Sequence, residues 1–357
     1  MLGPMPTPRP TLEQVADAAG VSPSTASKVL NGRPGISPQT RVRVEAAIEQ
    51  LGYAPTTGPR AGAPVRRVAV VFRTLADVYA LRVLEGVLGA AREHDVEVQV
   101  DVLDATGGGT VPLSPAWIRR QAAGDRTGVV LVTSPTTAEQ QDLLRTLGVA
   151  VVHVDPVHPL DDSTVSVGST NFSGGVQATR HLLDLGHRRI AFAGGAETFL
   201  PSSERLQGFL SMMRAGGGSV DDSLVRSLAH TFEAGLEMAD HFLAQPEPPT
   251  AVFAASDSIA LGVLASAQRH GLHVPQDLSV VGFDDSSAAV SSAPALTTVR
   301  QPVVEMGRVA LRTLLRLARG EAVDSHHVQL STTLVVREST APPPAGRGAE
   351  GGAPGPV

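Results

Sequence analysis

The 357-residue chain contains no cysteine, which excludes a disulfide framework, a thiol nucleophile and a cysteine-type zinc site, and leaves the redox compartment open. Lysine is nearly absent too: Lys28 stands alone among 29 basic residues, so arginine abundance reflects a coding bias and is not itself a signal. No apolar run is long enough to span a bilayer, and the first ten residues, MLGPMPTPRP, lack the apolar stretch of a signal peptide. A cytoplasmic protein with no membrane partner is therefore expected. Gly107-Gly108-Gly109 is followed by no Lys-Ser or Lys-Thr, Gly194-Gly195 lacks the GxGxxG spacing, and no Ser-His-Asp constellation has spacing support. No enzymatic activity is expected and no cofactor is called for. His153 and His158 flank a Pro-containing segment, where the chain is expected to cross between lobes, but no third ligand keeps them company and no metal is assigned.

The charge that is present is unevenly divided. The net charge is −6, yet the segment up to Arg67 carries +4, which leaves −10 for the remainder. A basic head on an acidic body confines nucleic-acid affinity to the head.

The head spells three short helices. Thr11 and Gln14 form a capping box, and Leu12, Val15, Ala16 and Ala19 make the buried stripe of the first helix. Gly20 and Val21 make the turn, Ser22 is the next N-cap, and Pro23 takes the first helical position, where a missing N–H costs nothing. Ala26, Val29 and Leu30 point inward, while Ser24, Ser27, Lys28 and Asn31 line the opposite face with groups suited to phosphates and base edges. Ser37-Pro38 opens a third helix with a core stripe of Val44, Ala47, Ile48 and Leu51. Three capped helices with so short a first turn read as a helix-turn-helix DNA reader.

A Pro/Gly-rich link, APTTGPRAGAPV, follows, and then the pattern changes to β-branched strands alternating with helices. Strands are expected near 67–72, 96–102, 128–133 and 150–154; the cycle then recurs with strands near 164–167, 189–193, 250–254 and 278–281. A helix over 302–320 and strands near 326–337 complete it. This is an α/β fold: an all-α head, then two doubly wound parallel-sheet lobes with a cleft at the carboxyl ends of their strands. The expected organisation is a flexible 1–9, a reader at 10–54, a linker at 55–66, the two-lobed domain at 67–340 and a disordered tail at 341–357.

TLEQVADAAGVSPSTASKVLNG with ISPQTRVRVEAAIEQLGYAP in the head, and HLLDLGHRRIAFAGG, SSERLQGF, PTAVFAASDSIALGVL, VPQDLSVVGFDD and PALTTVRQPVVEMG in the body, together resemble a LacI-family (lactose-repressor-like) transcriptional regulator over residues 10–340. The body resembles the type I periplasmic-binding-protein fold. The resemblance implies a homodimer on a near-palindromic double-stranded operator, with the second helix of each head in the major groove; one short helix reads too few bases to stand out alone. It implies Pro23 and Ser24 facing base edges, Thr25 and Ser27 toward base or phosphate, and Lys28 in a place where the family usually has arginine, where it donates to guanine or touches only phosphate. Asn31, Ser37 and Thr40 fit caps and backbone contacts better than base reading.

The link departs from the family. In place of an Asn, Ala-Arg and Leu spaced along a hinge helix, it has Thr56, Pro59-Arg60 and Gly62, so the leucine that wedges the central minor groove is absent. Proline inside a short helix costs about 3 kcal/mol and each glycine up to about 1. A hinge helix is not expected, though Arg60 can still reach a phosphate or a narrow minor groove.

The family's effector cleft maps onto Arg205, Ser256 and Asp284, a guanidinium opposite a carboxylate, which suits a sugar-like small molecule. Tyr79 and Phe232 are candidates for an apolar wall. The competing readings are a surface Arg205 paired with Glu204, Asp284 as a turn cap, Asp257 as a helix N-cap, Trp117 as packing, and Tyr79 and Phe232 as core. The implied function is a sugar-responsive repressor. The alternatives are a purine or phosphosugar corepressor mode, which needs extra cationic or aromatic residues in the cleft, and a periplasmic transport receptor, against which the helix-turn-helix head argues.

Overall fold

The computed structural model describes residues 10–30, 36–51, 53, 67–103, 113–123, 126–196, 198–217 and 220–344. The chain divides between Pro64 and Val65 into two compact units.

The first unit contains α1 (Leu12–Ala19), α2 (Pro23–Leu30) and α3 (Pro38–Leu51). Both halves of the Thr11/Gln14 capping box form, and Gly20 closes α1 at φ +62°, a left-handed conformation that a Cβ would oppose. Val15, Ala16, Ala19, Ala26, Val29, Val44 and Ala47 are the buried core, flanked by half-buried Leu12, Ile48 and Tyr53. Leu51 is 37% exposed, so the third stripe ends a turn earlier than its spacing suggests.

The second unit begins with β1 (Arg67–Phe72), α4 (Val78–Glu93), β2 (Glu97–Val102), α5 (Pro115–Ala122), β3 (Arg126–Val132), α6 (Ala138–Thr146), β4 (Ala150–Val154) and β5 (Ser166–Ser169). It continues with α7 (Asn171–Asp184), β6 (Ile190–Gly194), α8 (Leu200–Ala215), β7 (Val225–Ser227), α9 (Phe232–Leu243), β8 (Ala251–Ala254), α10 (Asp257–Arg269), β9 (Ser279–Asp284), α11 (Ser287–Ser291) and β10 (Thr297–Arg300). It ends with α12 (Val303–Ala318), β11 (His327–Leu330) and β12 (Thr333–Val335). The strands form two six-stranded sheets, ordered β2-β1-β3-β4-β5-β11 and β7-β6-β8-β9-β10-β12. Among the described residues every strand pairing is parallel except β12 on β10.

The two lobes share one strand order and differ in the direction of the last strand, and they are not two successive halves of the chain. β5, expected to open the second lobe, pairs with β4 and completes the first sheet. α12 packs on α4, β3, β4 and β5 of the first lobe, and β11 and β12 lie in different sheets. The chain thus crosses between lobes after β5, after β10 and after β11. His153 is buried within β4 and His158 is exposed in the β4–β5 loop, so neither marks a crossover. Ala341 to Pro344 also belong to the fold, since the Ala341 carbonyl accepts from His187 Nε2 at 2.8 Å and from Ser279 Oγ at 3.0 Å.

Apolar side chains cover both faces of the first sheet: Val68, Val70, Val130, Val152, Met306 and Leu314 on one side, Ala69, Val71, Ile118, Val129 and Leu131 on the other. Lobe 2 is built around phenylalanines, with the Phe192 ring 5.3 Å from Phe209 and 5.4 Å, edge-on, from Phe253. Paired helices approach through glycines. A Cβ on Gly86 would meet the Val304 carbonyl oxygen at 1.9 Å, one on Gly208 that of Phe172 at 2.3 Å, and one on Gly235 that of Ile259 at 2.1 Å.

Candidate functional site

On the head, α2 is buried through Ala26 and Val29 and presents Pro23, Ser24 and Lys28 as exposed side chains, with Thr25 and Ser27 half-buried at the edge of that face. The Ser22 hydroxyl accepts from the Thr25 N–H at 3.2 Å and lies 2.9 Å from both the Ser24 and Thr25 hydroxyls. Its work is to cap the helix and orient the two hydroxyls beside it. Ser37 caps α3 the same way, accepting from the Thr40 N–H at 3.2 Å. Asn31 and Arg60, also expected to face DNA, lie outside the described residues, as does the 54–66 link.

In the body, the segments that follow the strands carry the candidate residues, as the carboxyl-end rule requires. Arg205, on α8, is 4% exposed rather than a surface residue. Its Nε donates to Asn171 Oδ1 at 2.8 Å, its Nη1 to the Ala255 carbonyl at 2.6 Å, and its guanidinium carbon stands 3.8 Å over the Phe283 ring. Asp284, at the end of β9, has Oδ1 at 3.8 Å from Arg205 Nη1 and accepts from Gln301 Nε2 at 2.6 Å. Across from them in lobe 1, the Tyr79 hydroxyl donates to Asp155 Oδ2 at 2.6 Å, so Tyr79 brings a polar tip and not only a wall. The Arg205 charge reaches that pair and favours ionised Asp155, although burial raises the Asp155 pKa on balance. Burial, with Asp257 and Asp155 nearby, pushes Asp284 up to about 7 despite Arg205.

Ser256 is the N-cap of α10, its hydroxyl accepting from the Ile259 N–H at 3.3 Å. Asp257, expected as that cap, is instead the first helical residue. Its buried carboxylate accepts from Thr298 Oγ1 at 2.6 Å and from the Ser286 N–H at 2.7 Å, which pins the loop after Asp284. Burial holds its pKa up at about 6. Phe232 starts α9 and is 41% exposed, which removes the core reading and leaves a ring at the surface of lobe 2. The Trp117 indole packs under the first sheet and donates to Asp101 Oδ2 at 3.3 Å.

Sequence reasoning missed Asp155, Asn171, Gln301 and His230. His230 follows β7 and packs edge-on to Phe199 at 5.1 Å, so close to Gly195 that a Cβ there would sit 1.7 Å from its ring. Its Nε2 is the one buried side-chain polar atom among the described residues with no hydrogen-bond partner. Burial, helped by Arg205 and Arg73, holds its pKa near 3, so it is a neutral imidazole. A buried nitrogen left this way is poised for a ligand or a water. Backbone strain marks the strand ends of the site: Thr133 and Asp155, directly after β3 and β4, and Asp284, the last residue of β9, have φ of +45°, +44° and +116°, a property of the folded chain that left no signal in the sequence.

The comparisons agree with both units. Residues 11–56 match the model described as bacterial regulatory proteins, lacI family, and residues 179–340 match the periplasmic binding protein-like domain. The chain is 34% identical over 340 residues to the HTH-type transcriptional regulator CelR of Thermobifida fusca, covering 93% of this chain and 98% of that one. It belongs to the LacI family of transcriptional regulators. Among solved structures it is similar to a transcriptional regulator CelR–cellobiose complex, with TM-score 0.68, 33% identity, and 93% and 100% of the two chains covered. It is also similar to the lac repressor dimer bound to operator and the anti-inducer ONPF, with TM-score 0.68, 26% identity, and 94% and 100% covered. A helix-turn-helix DNA-binding unit followed by a two-sheet effector-type domain is therefore this LacI-family member's architecture.

Proposed function

We propose that this LacI-family chain is a repressor that binds a near-palindromic operator as a homodimer and changes its operator affinity when a sugar occupies the cleft of the second unit. The observation that carries the sugar reading is the buried Arg205 guanidinium set opposite Asp284, with the Tyr79–Asp155 pair in the facing lobe. Two carboxylates accept from hydroxyls and one planar cation donates to them, which is the chemistry of a neutral polyol. A phosphosugar fits poorly, because its phosphate would meet Asp155 and Asp284 with Arg205 the one buried arginine among the described residues. The solved CelR–cellobiose complex, to which the chain is similar, supports the same class. Effector and operator are linked through differential affinity, so whichever state the sugar favours sets the occupancy of DNA.

A thermal-shift screen of mono- and oligosaccharides, cellobiose included, tests this, because a ligand of the folded state raises the melting temperature. A neutral sugar is expected to raise it for the wild type and not for Arg205→Met. If purines or phosphosugars shift it and no neutral sugar does, the sugar reading is wrong.

A further inference from the structure

Gln301 sits in the second crossover, where the chain leaves β10 of lobe 2 for α12 of lobe 1, and is 5% exposed. Its Oε1 accepts from Ser169 Oγ at 2.6 Å, and its Nε2 donates to Asp284 Oδ1 at 2.6 Å. Ser169 ends β5 at the mouth of the first crossover and is 1% exposed. Its carbonyl accepts from Asn171 Nδ2 at 3.2 Å, and Asn171 Oδ1 in turn accepts from Arg205 Nε at 2.8 Å. Arg205 Nη1 returns to Asp284 Oδ1 at 3.8 Å. The five residues close a ring. Two of its members face the cleft, and the other three stand in or beside two of the three crossovers.

We propose that Gln301 is a positioning residue of the effector site: it aims the Asp284 carboxylate and fastens it, through Ser169, to both crossovers, so that cleft and hinge move as one hydrogen-bonded unit. An amide is what the place requires. One planar group must accept from a hydroxyl on one side and donate to a carboxylate on the other, both buried, and a glutamate or an aliphatic chain of that length fails on one side or on both. The third crossover is tied to the first by bonds outside the ring, the Thr332 N–H donating to Thr170 Oγ1 at 3.0 Å and Gln177 Nε2 donating to the Thr332 carbonyl at 3.3 Å. The inference rests on the proposed effector role of Asp284, but its test uses no effector, so a failed sugar screen and a failed ring are told apart.

The experiment is hydrogen–deuterium exchange by mass spectrometry on the full-length, effector-free protein, following peptides over 168–172 and 299–303. Gln301→Leu is expected to speed exchange in both by about tenfold or more, while β8 in the core keeps its protection. Gln301→Glu keeps the acceptor for Ser169 and loses the donor for Asp284, so 168–172 is expected to stay near wild type while 299–303 opens. Adding Ser169→Ala to Gln301→Leu is expected to change nothing further. Should Gln301→Leu loosen β8 as well, Ser169→Ala alone decides, with faster exchange in both crossovers expected. Protection of either crossover unchanged in Ser169→Ala and Gln301→Leu, or effects of the two that multiply as independent sites, overturns the proposal.

Discussion

Replacing Asp284 by asparagine is expected to stabilise the second unit progressively as the pH rises. In the fold Asp284 titrates at about 7, burial being the first cause, whereas an unfolded aspartate titrates near 3.9. The folded state therefore holds a proton that the unfolded state has lost, and stability falls between those two values and levels off above the higher one. Asparagine keeps the shape and the Oδ1 acceptor for Gln301 Nε2 but does not ionise. From the two pKa values, its advantage over aspartate grows by about 2 to 3 kcal/mol between pH 5 and pH 8. The side chain is 23% exposed, so solvent screening trims this figure without cancelling it. At 2–4 °C per kcal/mol for a domain of this size, the gap in melting temperature widens by roughly 5–10 °C. The wild-type profile alone does not isolate the effect, because His153 and His230, held at about 4 and about 3 by burial, act with the opposite sign: their depressed values remove stability as the pH falls below about 6.5. Scanning calorimetry of both proteins at pH 5, 6.5 and 8 cancels those histidines in the difference. A gap that is flat with pH, or that shrinks toward pH 8, would refute the buried-anion account.

Lys28→Ala is expected to weaken operator binding by about 1–3 kcal/mol while sparing binding to scrambled DNA; gel shifts on both that weaken equally would reduce Lys28 to a phosphate contact. Gly235→Ala is expected to lower the melting temperature, because overpacking α9 against the Ile259 carbonyl, at about 1–3 kcal/mol, outweighs about 1 kcal/mol of helix propensity. Gly89→Ala, whose Cβ would meet only the Arg308 side chain at 3.5 Å, is the control and is expected to hold or raise it. The link sequence TTGPRAGAP lacks the wedging leucine, so circular-permutation gel shifts are expected to show little operator bending and some tolerance of altered half-site spacing; a strong bend would point to Arg60 and Pro59 as the wedge.

Local signals in the sequence carried the head and the order of strands and helices. Thr11/Gln14, Gly20, Ser22-Pro23 and Ser37-Pro38 are short-range chemistry, and each acts within one turn of its helix. The interleaving of the lobes was not legible, because nothing in the pattern of 164–169 says which sheet edge it joins, and α12 has the same amphipathic stripe whichever lobe it covers. Within the site, Arg205 and Asp284 were found through the pieces SSERLQGF and GFDD. Asp155, Asn171 and Gln301 are isolated polar residues whose meaning comes from partners elsewhere along the chain, and His230 from the Phe199 ring and Gly195 it packs against.

Asp284 as a mere turn cap was the bland alternative, and the geometry argues against it. A capping carboxylate accepts from a backbone N–H of its own turn, as Asp77 does from the Ala80 N–H at 2.7 Å, and that bond favours its anion. Asp284 instead accepts from a side chain on the next crossover, holds φ at +116°, and has its charged form disfavoured by burial and by Asp257. Backbone strain of about 1–3 kcal/mol and a buried charge thus fall on one residue, where glycine or asparagine would relieve either. A fold shaped only for stability would remove such a residue; a cleft that must present an acceptor to a ligand's hydroxyl retains it and lets bound ligand supply the missing donors.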